Sequence, residues 1–297
     1  MPGFAQTNDW VDGGATTAFP DGGNWWFGFA PGPAFFEFAR IGSDSQVGGA
    51  PTDPTATVNS DLSSTPSSAL ILGDGSGFQG TLDITSGGVL AVTTDSASPT
   101  GGLDVGLNGG VGTLNVGNGG ALMVEGLLRS GGDATSTINL SGSATVNAGS
   151  ASLDRSRRIV GSGVGFSTTG GFTLGGGGTH EWEFAPGAGP AAVSVGGQLN
   201  LGGTLKLDTQ GQPLAIGSSF AIADSASVSG GFSSIGLSDV PALGLGVRVR
   251  TESVADGSAA NGTLTNVVVE QQPVLFVNRQ TGAVSIQNPG ASPTVSF

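Results

Sequence analysis

The sequence predicts an all-β protein: a right-handed parallel β-helix (β-solenoid) with an aromatic-rich N-terminal cap and a C-terminal β segment. Three segments, which begin at Gly80, Gly112 and Ser136, repeat nearly the same alternation of apolar and polar residues. Glycine, at 56 of 297 residues, supplies the corners between such short strands. A degenerate unit of roughly 20–23 residues with three short strands is typical of a β-solenoid. No helical periodicity of useful length occurs along the chain.

Residues 1–50 are predicted to form the N-terminal cap, because they contain ten of the nineteen aromatic residues of the chain. The first rung of a solenoid exposes its strand edges and its apolar interior unless another segment covers it. An assembly or glycan-stacking surface is the alternative for these aromatic residues, since exposed aromatic clusters mark contact sites. Residues 51–69, rich in Pro, Ser and Thr, are predicted to connect the cap to the rungs.

Residues 70–250 are predicted to form the rungs. Successive side chains of a strand point to opposite faces, so Leu82 and Ile84 share one face, while Thr81 and Asp83 share the other. Equivalent residues of the next two repeats are expected to stack on them, as an interior apolar ladder and an exterior polar ladder. The interior ladder continues with Leu114, Val116, Ile138 and Leu140, and the exterior one with Thr113, Asn115, Thr137 and Asn139. A second series of rungs is expected from Phe172 to Arg250.

Residues 251–297 are predicted to form a C-terminal β-strand segment. Val274–Val277 and Val284–Ile286 are rich in β-branched residues, which favour strands. Gln280–Gly282 lies between them and is expected to make the turn.

The later repeats and the N-terminal segment together resemble autotransporter-associated β-helix repeat proteins. The resemblance rests on Gly-Gly-Thr-Leu-Lys-Leu ending at Leu207, on Ile216–Asp224 and on the Val-Ser-Gly-Gly-Phe segment that begins at Val228. Trp10, Asn24-Trp25 and Ala39-Arg-Ile41 are similar to the segment that often precedes the repeats of that family. The family consists of secreted or surface-attached bacterial proteins. The resemblance implies a β-solenoid located outside the cytoplasm, and it carries no catalytic residues.

Composition excludes several functional classes. The chain has no cysteine, which rules out disulfides, iron–sulfur clusters, thiolate metal sites and cysteine nucleophiles. It has a net charge of −13 and only one lysine, Lys206, so it lacks the basic stripe that nucleic acid requires. No apolar run approaches the length of a membrane span.

Four patterns could carry chemistry, and each has a more ordinary explanation. His180 is the only histidine and lies in an alternating strand, which favours a surface or rung position over a catalytic or metal-binding one. The basic cluster Asp154–Arg158 could bind a polyanion or serve a polysaccharide lyase, but arginines in an acidic protein usually pair with carboxylates. Leu72–Gly77 is similar to calcium-binding repeats, yet its single Asp provides too few oxygens. The Thr81, Thr113 and Thr137 rows are too few and too irregular for an ice-binding face.

These observations predict a non-catalytic extracellular structural protein on the cell surface or in a matrix. It is expected to associate end to end with other copies of itself, with a filament subunit as one form of this function. We predict no enzyme activity, no cofactor, no metal site, no nucleic-acid partner and no membrane span. A carbohydrate-binding or polysaccharide-degrading β-helix, with surface polysaccharide as partner and Trp25, Trp26 or Trp182 stacking on sugars, is the alternative. The candidate contact residues are Trp10, Trp25, Trp26, Phe35, Phe36, Phe38, Phe276 and Phe297.

Overall fold

The structure is a computed structural model that describes residues 6–11, 16–25, 30, 37–43, 54–94, 101–131, 136–160, 163–184, 190–239, 243, 246–257, 260–287 and 295–296. These residues form β-strands and one short 3-10 turn, Gly22–Asn24, and the described part of the chain contains no α-helix. The prediction of an all-β protein is therefore confirmed.

The strands follow one another in chain order. The first eight are β1 (Gln6–Asp9), β2 (Glu37–Ser43), β3 (Thr55–Val58), β4 (Leu70–Asp74), β5 (Gln79–Ile84), β6 (Val89–Val92), β7 (Gly102–Leu107) and β8 (Val111–Val116). The next eight are β9 (Ala121–Ser130), β10 (Thr137–Ser141), β11 (Thr145–Leu153), β12 (Ser156–Val160), β13 (Gly165–Thr168), β14 (Phe172–Leu174), β15 (Thr179–Glu183) and β16 (Val193–Leu201). The last eight are β17 (Thr204–Asp208), β18 (Ser219–Gly230), β19 (Ser234–Ser238), β20 (Val247–Ala255), β21 (Thr263–Gln271), β22 (Val274–Val277), β23 (Val284–Gln287) and β24 (Val295–Ser296).

The strands form three sheets. Sheet 1 has thirteen strands in the order β1-β2-β4-β7-β9-β11-β13-β16-β18-β21-β20, with β6 paired to β9 and β14 paired to β11 and β16. Sheet 2 has eight strands in the order β19-β17-β15-β12-β10-β8-β5-β3, and sheet 3 consists of β22, β23 and β24. The pairs in sheet 2 are parallel, and so are those of sheet 1 from β1 to β18.

The chain passes alternately through sheets 1 and 2, and each passage places a strand in register with the one before it. β9 shows how sheet 1 is built, because its first half pairs with β6 and its second half pairs with β7. Equivalent residues of sheet 2 recur after between 19 residues, from Thr137 to Ser156, and 32 residues, from Thr81 to Thr113. The repeat is therefore less regular than the 20–23 residues that the sequence predicts.

An aliphatic ladder lines the space between the sheets, as predicted. Leu82, Leu114 and Ile138 are aligned across β5, β8 and β10 and are each 0% exposed. Ile84, Val116 and Leu140 form a second buried column beside them. A slip of one residue would turn both columns to solvent, so burial of these side chains selects the register.

The predicted exterior ladder is also present, and it is hydrogen-bonded from strand to strand. Asn115 Nδ2 donates to Asp83 Oδ1 and Asn139 Nδ2 donates to Asn115 Oδ1, at 2.7 Å in both cases. An amide group has both a donor and an acceptor, so one asparagine can bond to the strand on each side of it.

Both ends of the predicted rung region differ in detail from the structure. β1 and β2, within residues 1–50, pair in parallel and extend sheet 1, and β3, within the predicted connection, opens sheet 2. Pro54 immediately precedes β3, a position where its missing N–H costs no ladder bond.

At the other end, the predicted continuation of rungs from Leu243 to Arg250 is wrong. β20 runs antiparallel to β21, which itself runs antiparallel to β18. The parallel series therefore ends at β18 and β19, and a hairpin closes sheet 1. Sheet 3 follows as a separate antiparallel unit, in which Asn278–Ala283 forms the predicted turn between β22 and β23.

Candidate functional site

An aromatic cluster lies inside the N-terminal end. The rings of Trp10 and Trp25 meet edge to face with centroids 5.1 Å apart, and Phe19 meets Trp25 in the same way at 5.2 Å. Each of the three side chains is 2% exposed, and Trp25 Nε1 donates to the carbonyl oxygen of Phe19 at 2.8 Å. Trp10 and Trp25 are therefore part of the core, and neither presents a ring to a partner.

The other candidate contact residues are distributed differently. Trp26, Phe35, Phe36 and Phe297 lie outside the described residues, and Phe38 is part of β2. Phe276 in β22 is half-buried. The sequence could not separate buried from exposed rings here, because Trp25 and Trp26 are adjacent and chemically alike.

Trp182 is also buried, at 1% exposure, and its Nε1 donates to the carbonyl oxygen of Ala191 at 3.0 Å. Of the three tryptophans suggested for stacking on sugars, Trp25 and Trp182 are thus inaccessible, and Trp26 lies outside the described residues.

His180 occupies an inward position in β15 and is 0% exposed. Its neighbour in the register is Leu205, its Nε2 lies 3.3 Å from the carbonyl oxygen of Gly175, and its ring faces Phe232. The prediction of a rung residue fits this place, whereas a surface position does not. A ring enclosed in this way offers no nitrogen to an external substrate.

The arginines of the Asp154–Arg158 cluster occupy opposite register positions. Arg157 is aligned with Ile138 and His180, whose side chains point inward, whereas Arg158 is aligned with Asn139 and Glu181. Successive positions of a strand belong to opposite faces, so the backbone does not place these two arginines on one anion-binding surface.

Ion pairs cross the outer face of sheet 1 near its N-terminal edge. Arg40 in β2 bonds to Asp9 of β1, with Nε to Oδ1 at 2.7 Å, and to Asp74 of β4, with Nη1 to Oδ2 at 3.1 Å. Burial alone lowers the pKa of the Arg40 guanidinium, but the hydrogen bonds and charges of Asp9 and Asp74 outweigh it and raise that pKa. Arg129 pairs with Asp104 in the same manner further along the sheet. These charges join neighbouring strands and are consumed by structure.

Three carboxylates form the group best suited to a cation among the described residues. Glu181, Glu183 and Asp208, from β15 and β17, each place an oxygen within 4.8 Å of the others. Lys206 Nζ already lies 2.7 Å from Glu181 Oε1 and neutralises one of the charges. Calcium takes about six to eight oxygens, so this group alone provides an incomplete shell.

A column of hydroxyl-bearing residues runs along sheet 2, and only part of it was recognised in the sequence. Register links Thr55, Thr81, Thr113, Thr137 and Ser156, and it links Thr179, Thr204 and Ser234 in the same column. The recurring signal is Ser or Thr at the first position of an alternating segment. The neighbouring column carries Asp83, Glu181 and Lys206, so the hydroxyl column borders charged residues and does not widen into a uniform hydroxyl face.

An open cleft of about 330 Å³ lies where the long strands of sheet 1 bend. Ala91, Met123 and Asn147 face it from neighbouring strands, with Glu125 and Thr169 at its edge. General acid–base hydrolysis of glycosides uses two carboxyl groups, and Glu125 is the only titratable residue that lines this cleft among the described residues. Its shape can accept an apolar group, but its chemistry does not support hydrolysis.

The C-terminal end bears the largest exposed apolar surface of the described residues. Leu275 and Ile286 are cross-strand partners in β22 and β23, and so are Val277 and Val284. Their exposures are 62% for Leu275, 56% for Val277, 40% for Ile286 and 36% for Val284. Since alternate residues of paired strands share a face, these four side chains form one surface, the sheet 3 face.

Charges beside the sheet 3 face are paired with one another. Arg250 of β20 contacts Glu270 of β21, with Nε to Oε2 at 2.8 Å, and Glu252, with Nη1 to Oε2 at 2.7 Å. The hydrogen bond from Arg250, together with its charge, lowers the pKa of Glu270 below its ordinary value.

Arg250→Gln is therefore expected to raise the pKa of Glu270 toward the ordinary value, as read from the pH titration of its carboxyl carbon by NMR. In the unmodified protein the pair stabilises the fold above the ordinary pKa of glutamate, and this contribution is lost as the pH falls through the lowered value. Arg248→Gln is the matched control, because Arg248 acts on Glu270 only through its charge and should give a smaller rise. Equal rises in the two variants would contradict the hydrogen bond.

Comparison of the chain with protein families, with curated proteins and with solved structures found no match. The resemblance to autotransporter-associated β-helix repeat proteins therefore stays an expectation from the sequence. None of the described segments forms a helix long and apolar enough to cross a membrane.

Proposed function

We propose that the protein is a non-catalytic, extracellular structural protein built as a right-handed parallel β-helix, and that it associates end to end with copies of itself. Parallel strands that alternate between two sheets and stack in register support the β-helix. Its right hand follows from the strong preference of parallel crossover connections for that hand. The extracellular location rests on the family resemblance and on the acidic, lysine-poor composition.

The distribution of exposed apolar side chains carries the proposal of self-association. Among the described residues, every large hydrophobic residue that is strongly exposed lies after residue 215: Ile216, Val254, Leu275, Val277, Val284 and Ile286. Contiguous exposed apolar surface on a folded protein is typical of a contact site. A rod with such a surface at one end is suited to assembly.

A structural role agrees with the condition of the polar groups. The sole histidine is enclosed, Arg40, Arg129, Lys206 and Arg250 take part in ion pairs, and the one open cleft described above has a single carboxylate. These groups stabilise the stack of strands, which supports a function based on shape.

We expect the purified protein to associate reversibly as its concentration rises. Sedimentation velocity over a range of concentrations, with electron microscopy of the same samples, measures the association and the shape of its products. Elongated particles longer than one chain are expected, with filaments as the extended form. Particles that remain monomeric at the highest soluble concentration would overturn the proposal.

A further inference from the structure

We infer that the end-to-end contact is formed by the sheet 3 face of one chain packed against the sheet 3 face of a second copy. This inference rests on the proposed self-association and names its surface, its partner and its symmetry. Two cross-strand pairs, Leu275 with Ile286 and Val277 with Val284, supply four branched aliphatic side chains on one side of a short sheet.

The sheet 3 face is held in place before any partner binds. In the turn, Asn278 N donates to the carbonyl oxygen of Ala283 and Gly282 N donates to that of Asn278, each at 2.8 Å. The opposite side of the sheet carries Val274 and Phe276, which are half-buried, and Val274 approaches Gly246 closely. A preformed surface loses little conformational entropy on binding.

The charge distribution selects a second copy as the occupant. Residues 247–297 contain three Asp or Glu (Glu252, Asp256 and Glu270) and three Arg (Arg248, Arg250 and Arg279), so their net charge is zero. The whole net charge of −13 therefore lies in residues 1–246. Two copies repel each other along their bodies, whereas their C-terminal segments can meet without net repulsion.

The same patch on both chains makes the contact isologous, with a two-fold axis, and such a contact closes at a dimer. At the opposite end, Trp10, Phe19 and Trp25 are packed inside the fold. The basic assembly is then a dimer in which the two rods extend away from a shared centre. A filament needs an additional contact elsewhere on the chain.

The first test places a carboxylate in the contact. Leu275→Glu is expected to weaken dimerisation at least 100-fold by sedimentation, because the two-fold axis brings both introduced charges into one apolar interface. Val254→Glu is the matched control, since Val254 is 44% exposed in β20. It lies seven residues along the strand from Val247, about 23 Å away, and Val247 pairs with Gln271 beside sheet 3. We expect the control to change the dissociation constant less than threefold, with unchanged unfolding midpoints in both variants.

The second test measures the arrangement of the chains. The sequence has no cysteine, so Gln280→Cys introduces a single site for a spin label at the exposed turn of sheet 3. Face-to-face packing of sheets about 10 Å apart places the two labels within about 30 Å of each other, whereas a head-to-tail stack separates them by more than about 40 Å. Pulsed dipolar spectroscopy distinguishes the two distances.

Short distances that are lost in Leu275→Glu would support the inference. Oligomers with long distances, or oligomers that tolerate Leu275→Glu, would overturn it and leave the proposed self-association standing. A monomer at all concentrations would overturn both. A monomer in which Leu275 and Ile286 methyl groups are shielded from a soluble paramagnetic probe would show, in addition, that this chain covers its own face.

Discussion

Gly73→Ala is expected to destabilise the protein by about 3 kcal/mol or more, whereas Gly77→Ala, four residues away, should cost only about 1 kcal/mol. Both glycines have positive φ, at +66° for Gly73 and +90° for Gly77. An alanine at either position therefore carries the strain of the left-handed region, which glycine avoids.

The two positions differ in the space around them. A Cβ atom on Gly73 would lie 2.2 Å from the carbonyl oxygen of Val111 and 2.5 Å from its carbonyl carbon, on the neighbouring strand β8. A Cβ atom on Gly77 would meet no atom within 4 Å. Backbone atoms cannot rotate away as a side chain can, so Gly73→Ala has to push neighbouring strands apart.

Urea unfolding of the two variants measures the difference directly, because stability falls linearly with denaturant. The midpoint for Gly73→Ala should fall well below that for Gly77→Ala, with similar slopes. Equal midpoints would show that the chain does not bring Gly73 against Val111, and they would contradict the stacking of β4 on its neighbours.

The first repeats could be predicted because their sequence carries the register itself. Thr81, Thr113 and Thr137 each begin the same alternation, and copies of one motif in a stack align with one another. The period of two then assigns the inside and the outside, since Leu82, Leu114 and Ile138 cannot be moved to the solvent face without losing their burial. Local pattern and tertiary packing agree in this part of the chain.

Later repeats were less legible because their inward positions are not uniformly apolar. Arg157 and His180 occupy register positions equivalent to that of Ile138, which hides the alternation in β12 and β15. The antiparallel return of β20 was also missed. A strand pattern defines which residues alternate but not the direction of the strand to which they pair.

The candidate contact surfaces required the three-dimensional structure. Sequence composition concentrates aromatic residues near the N-terminus, yet Trp10 and Trp25 are buried there. The strands of sheet 3 could be predicted from their β-branched residues, but not which face would lack a cover. Exposure depends on what the remaining chain packs against, and that is a property of the whole fold.

Trp25→Ala is expected to destabilise the N-terminal end by about 3–5 kcal/mol, the usual cost of truncating a buried tryptophan. The substitution removes a ring that contacts both Trp10 and Phe19, and it leaves the carbonyl oxygen of Phe19 without the Nε1 donor at 2.8 Å. Calorimetry would report a lower unfolding temperature. Trp25→Phe is the matched control: it retains an aromatic ring but not the donor, and it should cost about 1–3 kcal/mol, the penalty of one unsatisfied buried acceptor.

The location of the loss distinguishes a core residue from a contact residue. Stacked repeats contact mainly their neighbours, so amide exchange should accelerate first in β1 and β2 of Trp25→Ala, while β15 to β19 remain protected. The same variant should dimerise normally above its local unfolding, because the sheet 3 face lies at the other end of the stack. Loss of self-association in Trp25→Ala with native exchange rates in β1 and β2 would place the contact at the N-terminal end and reverse the assignment of the two ends.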